Sequence, residues 1–286
     1  MRSALIRTLE AIVSLKQHKK IVHENKSNQK YLLLPLFGMI GDGVLFLDAL
    51  SEYFSFFHDK QGYKIVIACR SQMGKLIRMV YPDEKYEIVE MNRNKMQKSL
   101  KEFMQCLNRL GQYDFDMIIN VRERLSDENI LLYALPAKYK ITFRNGNIEP
   151  SNFIAKFFYR NTYDRVVYAD PDSDQYKRYG KMLKELGAND YISHISRIPE
   201  LYEGGKVCDS YVIVSPGASD EIKCWPSDRF AKICDWIIEK YNINVYIVGA
   251  QGDKKYADII KKNIKNIRRT FDYCGNTSIS EWIEIL

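Results

Sequence analysis

The sequence predicts an α/β protein with two Rossmann-like domains facing a cleft. Two observations carry that expectation. Strand-like apolar runs alternate with segments of helical period along most of the chain, the pattern of a parallel sheet covered by helices on both faces. Two junctions far apart in the chain set a glycine-containing loop between a strand and a helix. They are Gly38-Met39-Ile40-Gly41-Asp42-Gly43 and Ser215-Pro216-Gly217-Ala218-Ser219, the latter running on to Lys223-Cys224-Trp225-Pro226. A length of 286 residues suffices for two cores.

Leu5, Ile6, Leu9, Ile12 and Val13 recur at helical spacing among Arg and Lys, so the chain opens with a short basic amphipathic helix. Docking on an anionic membrane surface through residues 1–20 is one reading, and packing on its own domain is the other. Residues 21–30 read as a polar link, which makes 1–30 an N-terminal extension. The ordered core then begins with strand 31–37, loop 38–43 and helix 44–57, whose inward face is Leu47, Leu50, Tyr53, Phe54 and Phe57. Strand 63–69, helix 72–80, strand 86–89 and helix 95–110 follow. After them come strand 116–121, helix 126–135, which stops before Pro136, and strand 139–143. Asp170-Pro171-Asp172-Ser173 starts a helix that ends at Gly187.

Residues 192–206 contain Pro199, Gly204 and Gly205 without periodicity and read as the interdomain linker. The domains are therefore 31–200 and 201–286. The second opens with strand 211–215 and the loop, then helix 227–240 with Phe230, Ile233, Trp236 and Ile237 inward. Strand 244–248, loop 249–253, helix 254–264 and strand 269–273 come next, and Asn276-Thr277-Ser278 caps a helix from Ile279. The sequence stops inside that helix after three strands, so the second domain is expected to be incomplete.

Composition narrows the function. The chain is 46% hydrophobic and 28% charged, ordinary for a globular protein. No apolar run reaches the ~18 residues of a membrane span. The N-terminal apolar positions are periodic and no small-residue cleavage site follows, which predicts no signal peptide. Six scattered cysteines without a Cys-x-x-Cys pair, and four histidines without ligand spacing, predict reduced thiols, a cytoplasmic protein and no metal site. Of the net charge of +7, most lies in residues 1–30, where seven Lys and Arg face two Glu. That confinement, with no recognisable motif, speaks against nucleic acid as a partner. A nicotinamide-binding reading is also weak. The glycines at 38, 41 and 43 lack the Gly-x-Gly-x-x-Gly order, and Cys69-Arg70 stand where an acidic residue would hold the ribose.

The residues point to phosphate and sugar chemistry. A strand ending in Pro216-Gly217-Ala218-Ser219 and feeding a helix N-terminus suits a phosphate, and Lys223 adds a full charge. A solvated surface Lys is the plainer alternative. Asp42 lies at the carboxyl end of the first strand, where it is a general base or the cap of the next helix. Asp253 is a ribose ligand or a helix cap. Thr277 and Ser278 read as a capping pair, and Trp225 as packing behind the loop.

Four landmarks in order resemble glycosyltransferase family 9, the heptosyltransferase-like enzymes. They are Ile40-Gly41-Asp42, Pro216-Gly217-Ala218-Ser219 with Lys223-x-Trp225-Pro226, Val248-Gly249-Ala250-x-Gly252-Asp253, and Gly275-Asn276-Thr277-Ser278. The resemblance covers residues 31–286. It implies a GT-B fold and an inverting, metal-independent, cofactor-free sugar transfer, from a nucleotide-diphosphate sugar (an ADP-sugar first) to a bacterial surface-glycan or lipid-linked acceptor. The enzyme would work in the cytoplasm or at the inner face of the plasma membrane. The resemblance makes Asp42 the base and Lys223 the partner of the diphosphate. Gly41, Gly217, Ser219, Gly249, Asp253 and Thr277 join them around the nucleotide sugar. Two departures stand out. The family's later Asp-(Ser/Thr)-Gly-x-x-His loop has no counterpart before residue 286, and Pro35-Leu36 replace the basic neighbour common in the first strand. The alternative is a non-catalytic nucleotide-sugar-binding or scaffold protein of glycan assembly. Acceptor contacts are sought between Arg144 and Arg165, with Lys156, Tyr159 and Arg160 among them.

Overall fold

A computed structural model describes residues 8–15, 29–82, 86–96, 98–122, 128–145, 153–196, 198, 210–218 and 220–285. The chain divides into two compact units, Met1–Pro199 and Glu200–Leu286. Most of the region read as a linker lies outside the described residues.

The first unit begins with helix α1 (8–15). Ala11 and Val13 pack against the core of this unit and Glu10 and Ser14 are buried, while Leu9, Ile12 and Leu15 stay exposed. Strands and helices then alternate: β1 (Lys30–Leu36), α2 (Ile40–Tyr53), β2 (Tyr63–Cys69), α3 (Ser71–Val80), β3 (Tyr86–Glu90), α4 (Arg93–Met96), α5 (Leu100–Leu110), β4 (Phe115–Asn120), α6 (Glu128–Ala134), β5 (Ala137–Asn145), α7 (Phe153–Thr162), β6 (Arg165–Ala169) and α8 (Gln175–Glu185). The sheet order is β3-β2-β1-β4-β5-β6, with every pair parallel. This is the doubly wound order, in which ligands sit beyond the carboxyl ends of the strands where the winding reverses. Here that point lies between β1 and β4.

The central strands are apolar throughout because both faces are covered. Leu32, Leu33, Leu34, Val66, Ile67, Ile118 and Ile119 are fully buried. All five inward residues read for the first helix are buried, with Phe54 and Phe57 on a π-helical extension over Phe54–Asp59. Gly43 is required by packing: a Cβ there would fall 2.6 Å from Met73 Cε, with the sulfur nearer still. Asp48 on α2 fastens the segment beyond α8, its Oδ2 accepting from the His194 N–H at 2.9 Å and from the Tyr191 hydroxyl.

Three expectations for this unit need correction. The loop after β1 is shorter than read, because Ile40 already opens α2 and puts Gly41, Asp42 and Gly43 in its first turn. The helix read over 95–110 is two, since Ser99 caps α5, its Oγ accepting from the Glu102 N–H at 3.4 Å. α7 and β6 have no counterpart in the sequence reading. β6 has five residues at the sheet edge, and Asp164 just before it is tied to β5, its carboxylate accepting from the Lys140 N–H at 2.7 Å and its own N–H donating to the Lys140 carbonyl at 2.9 Å.

The second unit contains β7 (Tyr211–Val214), α9 (Ser227–Tyr241), β8 (Asn244–Ile247), α10 (Lys254–Asn263), β9 (Thr270–Asp272) and α11 (Ile279–Ile285). Its sheet runs β7-β8-β9, all parallel. Val214, Ala231, Cys234, Ile238, Val245, Ile247, Ala257 and Ile260 form its core. The face of α9 differs from the one expected. Ile233 and Trp236 are exposed, and Ala231, Cys234, Asp235 and Ile238 are buried. Asp235 explains the rotation. Its carboxylate accepts from the backbone N–H of Lys265 (3.0 Å) and of Asn266 (2.9 Å) and from the Asn266 side chain (3.0 Å). Burying a carboxylate that meets three donors costs far less than burying an unpaired one, so the helix turns this side inward.

Candidate functional site

Each unit presents a site at the carboxyl ends of its strands. In the first unit β1 ends at Leu36 and the chain enters α2 through Gly38 and Met39. Asp42, half-buried in the first turn of α2, accepts from the Met39 N–H through Oδ2 at 3.1 Å. The helix-cap geometry is therefore present, and it uses one oxygen. Gly38 serves this arrangement, since a Cβ there would fall 2.7 Å from the same Oδ2. Gly41 is exposed and its Cβ position opens on empty space.

Asp42 faces a small hollow shared with Met73, Tyr179 and Arg122. Arg122 follows β4, so the acid and the cation come from the two strands that flank the switch point. The sequence reading missed Arg122. Its signal was a cation two residues after the end of a buried strand. Arg122 is set by Asn120, whose Oδ1 accepts from the Arg122 N–H at 3.2 Å and whose Nδ2 donates to the Tyr163 hydroxyl at 2.7 Å. Tyr163 in turn donates to Asn129 Oδ1 at 2.5 Å.

Farther along the sheet, Arg144 lies 5.9 Å from the Tyr159 ring and 6.0 Å from the Tyr168 ring. Two of the residues sought as acceptor contacts, Arg144 and Tyr159, are thus in one cluster. Burial raises the Tyr159 hydroxyl pKa, opposed by the charge of Arg144.

In the second unit three loops leave the strand ends together. Val248 N–H bonds to Val214 O at 2.9 Å, Ser215 Oγ to Val248 O at 3.2 Å, and Gly275 N–H to Gly249 O at 2.9 Å. Asp253 joins two of these loops. Its Oδ2 accepts from the Ala250 N–H at 2.8 Å, and a Cβ on Gly217 would fall 2.6 Å from that oxygen, with Oδ1 and Cγ closer. A Cβ on Gly249 would lie 2.9 Å from Asp253 Cβ. Gly217, Gly249 and Asp253 are thus one constellation, and what the two glycines admit is a carboxylate. Gly275, at φ 72°, leaves room for Gln251, whose Cα would stand 2.8 Å from an added Cβ.

The loop from β7 to α9 is long, so Gly217 does not feed the helix N-terminus directly. A short 3₁₀ turn over Glu221–Lys223 intervenes, and Lys223 projects from it, exposed. Lys255 of α10 ties this turn down by pairing with Glu221. Trp225 packs edge-on against Phe230 with ring centres 4.9 Å apart, the packing part read from the sequence. α9 opens at Pro226 without a side-chain cap. Thr277 is half-buried in the turn before α11, where Ser278 and Glu281 exchange capping bonds of 2.7 and 3.3 Å. Ser219 lies outside the described residues. Cys274, beneath these loops, is fully buried. Burial and the carboxylates of Asp272 and Asp253 push its thiol up to about 12, so it is no nucleophile near neutral pH.

Among the described residues no three His, Cys, Asp or Glu gather as a metal site, and no helix is long and apolar enough to cross a membrane.

A family model described as glycosyltransferase family 9 (heptosyltransferase) matches residues 103–286. No curated protein sequence matches the chain significantly. Among solved structures, a family 9 glycosyl transferase from Veillonella parvula is similar over 90% of this chain and 73% of its own, with TM-score 0.65 and 13% identity. The E. coli heptosyltransferase WaaC with ADP is similar over 89% of this chain and 78% of its own, with TM-score 0.66 and 12% identity. E. coli ADP-heptose LPS heptosyltransferase II reaches TM-score 0.56 at 13% identity, over 89% and 75% of the two chains. At such identities the likeness shows a shared fold, an α/β architecture with Rossmann-like parallel sheets.

Proposed function

The chain belongs to glycosyltransferase family 9, and from that premise we propose that it is an inverting glycosyltransferase that moves a heptose or similar sugar. The donor is a nucleotide-diphosphate sugar, an ADP-sugar first, since the WaaC structures hold ADP and a fluoro-heptose derivative of it. The acceptor is a hydroxyl of a surface glycan or lipid-linked saccharide. The observation that carries this reading is the placement of Asp42, at the carboxyl end of β1, where the doubly wound sheet reverses.

The chemistry divides between the two units. Asp42, held by the Met39 N–H through Oδ2, turns Oδ1 to the acceptor hydroxyl and takes its proton as the new bond forms on the opposite face of the sugar from the leaving group. The leaving diphosphate accumulates charge in the transition state. Lys223 meets that charge, and this role for a lysine leaves no requirement for a metal ion. Asp253, braced against Gly217 and Gly249, accepts from the ribose hydroxyls. A carboxylate packed on Gly217 repels phosphate, so the diphosphate lies toward Lys223 and the ribose toward Asp253.

The test is turnover with Asp42→Asn beside ADP titration of the same variant. Loss of at least a hundredfold in transfer, with ADP affinity and fold unchanged, is expected for a general base. Full transfer by a folded Asp42→Asn would leave Asp42 as a helix cap only.

A further inference from the structure

Helix α1 reverses the usual rule for a helix on a protein surface. Glu10 and Ser14, four residues apart and so on one face, are 3% and 0% exposed. Leu9, Ile12 and Leu15, spaced by three on the other face, are 38%, 44% and 36% exposed. Inward apolar contact comes from the smaller Ala11 and Val13, which pack against the core cluster that contains Phe103, Leu107, Leu131 and Phe158. The buried Ser14 Oγ meets no hydrogen-bond partner among the described residues. In water this orientation loses twice, by burying an unpaired hydroxyl and by leaving three large apolar side chains wet. An apolar layer against the outer face removes the second loss.

Charge selects the layer. The first 30 residues hold seven Lys and Arg against two Glu, and one of those two is the buried Glu10. In the sequence Arg7 directly precedes α1 and Lys16 directly follows it. An apolar stripe within a strongly basic segment is the composition of helices that lie in the surface of an anionic bilayer. Their apolar side chains enter the acyl boundary while the cations meet lipid phosphates. The two signals work together. Three apolar side chains alone insert weakly, and each Lys or Arg near an anionic surface strengthens binding about fivefold.

Other occupants fit less well. A second copy of the chain, docked through α1 about a twofold axis, would bring two basic segments together. A nucleic acid would meet the charge and leave the apolar stripe uncovered.

We propose that the outer face of α1 docks the first unit on a bilayer rich in anionic lipid, with Leu9, Ile12 and Leu15 as the inserted side chains. The proposal stands apart from the transferase reading, and it is measured without turnover. The experiment is co-sedimentation of the full chain with two kinds of vesicle, one of phosphatidylcholine and one of equal parts phosphatidylcholine and phosphatidylglycerol. Partition into the anionic vesicles is expected to exceed that into the neutral ones by about tenfold or more, and to fall as salt is raised. The double variant Leu9→Gln with Ile12→Gln is expected to weaken anionic binding by about tenfold with the melting temperature unchanged, and Leu15→Gln by about threefold. Ile192→Gln, at an exposed apolar position outside α1, is expected to leave it unchanged. Equal partition into both kinds of vesicle, no vesicle binding by the wild type, or a loss under twofold in both α1 variants would overturn the docking face. So would a lipid-free dimer in analytical ultracentrifugation that the double variant dissociates, since the stripe would then serve a second copy.

Discussion

Replacing Gly217 by alanine tests how the second site is built. The added Cβ would stand 2.6 Å from Asp253 Oδ2, with two further carboxylate atoms closer, whereas ordinary contact begins at 3.4 Å. Oδ1 is the nearest of the three atoms, so the carboxylate must retreat by more than about 1 Å, and a retreat of that size breaks its 2.8 Å bond from the Ala250 N–H. A hydrogen bond to a charged group contributes about 1.5–3 kcal/mol. Against this, alanine stiffens the unfolded chain and returns about 0.4–1 kcal/mol. The net loss is about 1–2 kcal/mol. In a unit the size of Glu200–Leu286 that lowers the transition by roughly 5–15 °C. Calorimetry on Gly217→Ala, Asp253→Ala and the double variant gives the coupling directly. With the carboxylate gone the methyl group meets no obstacle, so Gly217→Ala should cost almost nothing in the Asp253→Ala background. Strict additivity of the two single effects would refute the close approach as the reason for glycine at 217.

Three further outcomes follow from the same structure. Lys223→Ala should weaken ADP by about tenfold or more while the melting temperature stays within a degree or two, because the side chain is exposed; isothermal titration reads the first and calorimetry the second. Asp235→Ala should destabilise the second unit by about 2–4 kcal/mol in denaturant unfolding, since it strands the N–H groups of Lys265 and Asn266. Lys140 is buried with its ammonium on the carbonyls of Leu132 (2.8 Å) and Tyr133 (3.2 Å), and burial pushes it down to about 8 from 10.5. Its folded form therefore binds the proton less tightly than the unfolded chain, so stability should rise as pH climbs from 8 to 10.5. The full gain is about 3 kcal/mol. Unfolding of wild type and Lys140→Met at pH 7 and pH 10 isolates that gain, which the methionine variant should lack.

Where the sequence was legible, one interaction dominated. Strands such as Tyr63–Cys69 stand where they were read, because a run of β-branched and apolar residues buried on both faces permits no other structure. The α9 face was misread by about one residue. Trp236 and Ile233 outweigh Cys234 and Asp235 in hydrophobicity, but three N–H donors at the end of α10 draw Asp235 inward, and no periodicity shows a partner 30 residues away. Strand β6 was invisible because an edge strand of five residues has too little pattern to stand out. The glycines of the second site were read as contacts of a nucleotide sugar, and the carboxylate that they admit was not foreseen. Gly217 looks like room for a phosphate until Asp253 is seen to fill it. Arg122 escaped notice because its importance comes from sheet order: the strand before it lies beside β1 although two other strands separate them in the chain.

That order also brings a carboxylate and a guanidinium from separate stretches of the chain to one place. Asp42 stands beyond β1 and Arg122 beyond β4, neighbours across the point where the winding reverses. Arg122 follows a hydrogen-bonded run in which Asn120 donates to the Tyr163 hydroxyl and Tyr163 donates to Asn129. Such a run fixes a direction. A fixed direction matters most beside the proposed base, where small displacements would be costly in rate.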